Sequence, residues 1–199
     1  MPTVDELSKR LSALVNRKEP APLNKFTLGL AEEVRGFLSA RFQRSFPNIQ
    51  LSLRYGAGYR QRLRELGASE AAIEGSSGMY IGNVYSADIV IDLDGVRQFL
   101  LEGHVKSAVV FLSNILIEEF IHALFPKLMD REVSETVQDL VEEFLPGFKF
   151  TEEQKKVFAE SISGEAKDGH FVPEFGTGKT QGLPISITWC RGFSFLHTP

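Results

Sequence analysis

Glu118, Glu119 and His122 are the residues whose types and spacing best suit them to chemistry. They lie in Ile115-Leu116-Ile117-Glu118-Glu119-Phe120-Ile121-His122-Ala123-Leu124-Phe125-Pro126, a run that is otherwise apolar. Glu118 and His122 are four residues apart, so on a helix they share one face and can reach one ion. Glu119 falls about 100° further round the same helix. Carboxylate oxygens and imidazole nitrogens are ligands for divalent cations, and a carboxylate beside such an ion can take the proton of a bound water. Buried charges need a partner or a metal, which gives two carboxylates in an apolar helix a reason to be there. A catalytic zinc site uses three protein ligands and keeps one position open. The third ligand is expected from the next helix. Glu132, ten residues past His122 and beyond the turn at Pro126, is the first choice, with Glu135 and Asp139 as alternatives. A carboxylate ligand in place of a nitrogen makes the bound water less acidic and shifts the site towards harder ions such as manganese or iron(II).

The elements that position these groups can be read from periodicity. Residues 5–15 carry Leu7, Leu11, Leu14 and Val15 at helical spacing, Pro20 and Pro22 interrupt, and residues 26–46 resume a helical period. Residues 49–55 alternate apolar and polar as a half-buried strand does. A short helix is predicted over 60–66, a loop over 75–78, a strand over 79–84 and a β-branched strand over 87–93. Helices follow over 96–101, 105–124 and 130–144, the last with Val133, Val137, Leu140, Val141 and Phe144 inward. Thr151 to Gln154 has the pattern of a helix-opening capping box. This order describes an α+β domain, a small mixed sheet packed on the residue 105–124 helix and the helix after it.

Bulk properties bound the rest. With 199 residues, the expected division is an N-terminal arm at 1–22, a domain at 23–148 and an aromatic C-terminal extension at 149–199. A formal charge of -4 gives no electrostatic reason to expect nucleic-acid binding. Arg41, Arg44, Arg54, Arg60, Arg62 and Arg64 are read as exposed helix and strand faces. The N-terminus lacks the layout of a signal peptide, and the single cysteine, Cys190, excludes an intramolecular disulfide. The apolar stretch at 108–117 is shorter than a bilayer span. The expectation is therefore a cytoplasmic, intracellular protein without a membrane partner. Gly176-Thr177-Gly178-Lys179-Thr180 imitates part of a phosphate-binding loop, but Pro173 stands where the first glycine belongs. Phe171, Phe175, Trp189, Phe193 and Phe195 make the extension too aromatic for a typical disordered tail. It is expected to pack on the domain, pair with a second copy as a homo-oligomer, or lie across the cleft. Glu119 and His122 also form the Glu-x-x-His spacing of di-iron bundles, but that fold needs a second copy, and Glu102-Gly103-His104 has the wrong spacing.

Glu118 to His122 corresponds to the His-Glu-x-x-His signature of zinc peptidases with the first histidine replaced by glutamate. Over residues 26–144 the chain resembles the small zincin-like metallopeptidases of minigluzincin type found in archaea and viruses. The resemblance implies a helix, a small sheet whose last strand flanks the cleft, the motif helix, and a helix carrying a glutamate ligand. Residues 87–93 match the edge strand of that family, Glu118 to His122 its motif, and residues 130–143 its glutamate helix. The implied roles are Glu119 as general base and Glu118, His122 and Glu132 as ligands, Glu118 being the altered one. The implied cofactor is zinc, with manganese or iron as alternatives, and the implied substrate is a peptide or protein. Two functions follow as expectations. One is a metal-dependent, peptidase-like hydrolase. The other is an inactive relative that keeps the fold as an interaction or structural module and binds no metal.

Overall fold

The computed structural model describes residues 1–15, 20–74, 76–83, 85–126, 130–152 and 154–155, and the side chains of 15, 20, 71 and 130–135 lie outside that description. Among the described residues the elements run α1 (Val4–Val15), α2 (Pro20–Phe42), β1 (Asn48–Arg54), α3 (Ala57–Glu65), α4 (Glu70–Ile73), β2 (Gly78–Gly82), β3 (Ser86–Asp92), α5 (Asp94–Leu101), α6 (Val105–Leu124) and α7 (Asp130–Phe144). The molecule is mixed α and β, with a small mixed sheet, as the α+β reading expects.

A helix that is apolar all round must be enclosed on all sides. Helix α6 is such a helix: every residue from Ser107 to Ile121 is buried. It packs against α1, α2, α5 and α7 and against strands β2 and β3. By length and composition α6 could cross a bilayer, and 94% of its apolar window is buried inside the fold. Leu7 and Leu11 of α1, Leu30 and Val34 of α2, and Phe148 and Phe150 after α7 all join the core built around it.

The sheet has the order β1-β3-β2. Strand β3 runs parallel to β1, with Asn48 opposite Ser86 and Arg54 opposite Asp92. It runs antiparallel to β2, with Gly78 opposite Ile91 and Gly82 opposite Ala87. The family resemblance assigned residues 87–93 to an edge strand beside the cleft. The structure corrects this, because β3 is the central strand and β1 and β2 form the two edges. The Ile89-Val90-Ile91 run supplies the physical reason. Ile89 and Ile91 enter the main core, while Val90 enters a second cluster with Tyr59, Leu63, Ala72, Ile73 and Met79. A strand covered on both faces needs a continuous apolar run.

Local boundaries shift where backbone chemistry allows. Helix α2 begins at Pro20, earlier than the predicted residue 26, because a first-turn proline has no N–H to lose. It stops at Phe42, where Gln43 takes a left-handed φ of 51°. Helix α4 was not foreseen. Its start is capped by Ser69, whose side chain accepts a hydrogen bond from the Ala72 N–H. The capping box after α7 forms as expected: Thr151 N–H donates to Gln154 Oε1 at 2.7 Å and Gln154 N–H to Thr151 Oγ1 at 3.1 Å.

Candidate functional site

Helix α6 carries its polar residues on consecutive turns. Asn114 and Glu119 are each 1% exposed and Glu118 is 5% exposed. His122, one turn beyond Glu118, is partly buried. Burial lowers its pKa from the ordinary value to about 4, so at neutral pH the imidazole is uncharged and keeps a lone pair. The C-terminal end of the helix is held by Arg44, which donates to the Leu124 carbonyl at 3.4 Å and lies over the Phe125 ring at 4.6 Å. A cation at a helix C-terminus is favoured by the helix dipole.

Strand β2 lies against this segment. Gly78 approaches so closely that a Cβ there would stand 2.6 Å from Ile115 Cγ2 and 2.8 Å from Glu119 Oε1. Side chains two apart on a strand share a face, so Tyr80 is also turned to α6. Its ring lies nearly parallel to that of His122, with centroids 6.3 Å apart and planes at 19°. The Tyr80 hydroxyl oxygen is buried with no hydrogen-bond partner among the described residues, and burial raises its pKa. Both polar atoms of the Asn114 carboxamide are likewise buried without a described partner.

The requirement for glycine at 78 is testable. Gly78→Ala is expected to lower the free energy of unfolding by about 1–3 kcal/mol, the usual range for overpacking. Urea denaturation would measure it, and an unchanged midpoint would mean that β2 can back away from α6 without loss.

The expected site residues are thus placed as follows. Glu118, Glu119 and His122 lie on one buried helix, with Glu118 and Glu119 adjacent and His122 one turn beyond Glu118. Glu132 and Glu135 belong to α7, which packs on α6, but their side chains lie outside the described residues. Asp139 is exposed. Among the described residues, no three His, Cys, Asp or Glu side chains cluster as a metal-holding group. His104 sits at the start of α6, exposed, with no side-chain capping bond. Three of the six arginines form ion pairs: Arg41 with Glu143, Arg62 with Glu65 and Asp88, and Arg64 with Glu70. The phosphate-loop imitation and the aromatic extension lie outside the described residues.

Sequence reasoning missed Gly78 and Tyr80 as neighbours of the α6 carboxylates. Gly78 falls in the loop predicted over 75–78, whereas β2 begins at that residue, and the strand's docking on α6 was not legible. Asn114 had a local signal, since it stands four residues before Glu118 and so on the adjoining turn.

No protein-family model, curated protein or solved structure matches this chain. The functional reading therefore rests on the residues of α6 and β2.

Proposed function

We propose that this protein is a zincin-like, metal-dependent hydrolase of peptide bonds, with Glu118, His122 and Glu132 as ligands and Glu119 as general base. One observation carries the reading: two carboxylates and an uncharged imidazole occupy adjoining turns of a helix that is otherwise buried in apolar surroundings.

The donor chemistry fits a divalent ion. Glu118 and His122 offer one oxygen and one nitrogen from the same side of α6, and the low pKa of His122 removes proton competition for that nitrogen at neutral pH. Packing of α7 on α6 brings the helix that bears Glu132 and Glu135 alongside. Zinc, manganese or iron(II) in such a site supplies a Lewis acid that makes water nucleophilic near neutral pH. Glu119 takes a proton from water as the water oxygen adds to the peptide carbonyl carbon. The same carboxylic acid then gives that proton to the nitrogen as the C–N bond breaks.

Elemental mass spectrometry on protein purified without a metal-affinity tag tests the site. The expected result is about one equivalent of zinc, manganese or iron per chain, lost in His122→Ala. Absence of metal after incubation with each ion would overturn the proposal.

A second reading has its own support. The close seating of Gly78 on Glu119 favours a zincin-like interaction or structural module. In that case a chelator leaves thermal stability unchanged, whereas a resident ion would be linked to folding.

A further inference from the structure

Asn114 stands one turn before Glu118 on α6, so the two side chains share one face of that helix. It is 1% exposed, and both polar atoms of its carboxamide are buried with no hydrogen-bond partner among the described residues. A carboxamide held in this way costs free energy that leucine, of nearly the same size, would not incur. Residues four apart on a helix have Cβ atoms about 5–6 Å from each other. Side-chain torsions alone, with no shift of the backbone, therefore bring Asn114 Nδ2 within reach of the Glu118 carboxylate.

The residue type at 118 decides what kind of neighbour it needs. An imidazole ligand has a ring N–H to spare and is held by an acceptor behind it. A carboxylate ligand has the opposite need. Its second oxygen carries charge and lone pairs but no proton, so a donor must hold it. Glu118 is 5% exposed, which leaves that donor to come from the protein. A carboxamide supplies two N–H groups and adds no charge.

We propose that Asn114 is a positioning residue for Glu118, its carboxamide N–H donating a hydrogen bond to the carboxylate oxygen that does not hold the ion. The proposal rests on the metal-site reading above. It adds to that reading how a carboxylate is held at the position where the zinc peptidase signature has an imidazole.

A double-mutant cycle in the full chain tests it. Zinc Kd is measured for wild type, Asn114→Leu, Glu118→Ala and the double variant, by chelator competition for tight sites and by direct titration to millimolar zinc for weak ones. The metal-free thermal midpoint of each is recorded beside it. Asn114→Leu is expected to weaken zinc binding about 10- to 100-fold, the usual effect of removing a group that orients a ligand. Its metal-free midpoint is expected to equal or exceed that of wild type. With Glu118→Ala already present, Asn114→Leu is expected to change the zinc Kd by less than about twofold, because the carboxylate it acts through is gone. Should leucine unfold the chain, Asn114→Ala carries the same comparison. A zinc Kd within about twofold of wild type in the single Asn114 variant would overturn the assignment and leave the metal site standing. Equal weakening with and without Glu118 would show that Asn114 does not act through that carboxylate, which also overturns it. Wild-type protein that binds no zinc would overturn the metal site, and the Asn114 assignment with it.

Discussion

Glu119→Gln is expected to lower peptide hydrolysis about 10²- to 10⁴-fold while leaving the metal content at its wild-type level. The amide has nearly the size of the carboxylate, so it fits the space beneath Gly78 without displacing β2. It cannot accept a proton from water. The proposed ligands Glu118 and His122 are untouched by this substitution. Steady-state turnover of a peptide substrate and elemental analysis of the same sample would together check this. Unchanged turnover would remove Glu119 from the mechanism. Loss of the metal along with activity would instead make Glu119 a ligand. A shape-changing substitution such as alanine would confuse these outcomes, because Glu119 is 1% exposed and packed against the sheet.

Phe120→Ala is expected to destabilise the fold by about 3–5 kcal/mol, the range for deleting a buried phenylalanine side chain. Phe120 is 1% exposed and sits in the main core next to Glu119. Its ring meets that of Phe46 edge-on at 5.4 Å, a geometry that adds to the area term. Phe46 follows the end of α2 and is itself covered by the Arg35 guanidinium at 5.7 Å. The ring therefore ties the chain between α2 and β1 to the C-terminal part of α6. For a chain of this size, the loss corresponds to a fall in thermal midpoint of roughly 10 °C. Differential scanning calorimetry would measure it. A fall of only a degree or two would mean that Phe46 and its neighbours collapse into the cavity.

Much of the local architecture was legible before any tertiary contact was known. The period of the apolar residues placed α6 at Val105–Leu124 and α7 at Asp130–Phe144, and Val137, Leu140, Val141 and Phe144 are buried as that period requires. The alternation in β1 and the β-branched run in β3 identified strands because a pleated surface favours those patterns. Thr151 and Gln154 announced their own hydrogen bonds, because a capping box closes over three residues. Helix geometry alone set Glu118 and His122 on one face of α6.

What only the tertiary structure decided was everything that depends on which surfaces meet. The Ile89-Val90-Ile91 run could signal cover on both faces, yet it could not say which strands would flank it, because strand pairing joins residues far apart in sequence. That is why β3 proved central. The same holds for the close seat of Gly78 on Glu119 and the stack of Tyr80 on His122, which arise from β2 docking on α6 across more than thirty positions of chain. The low pKa of His122 is likewise a property of the packed state, since desolvation by the surrounding core causes it. Periodicity is local and is written in the order of residues, whereas docking and desolvation are set by the whole assembled core.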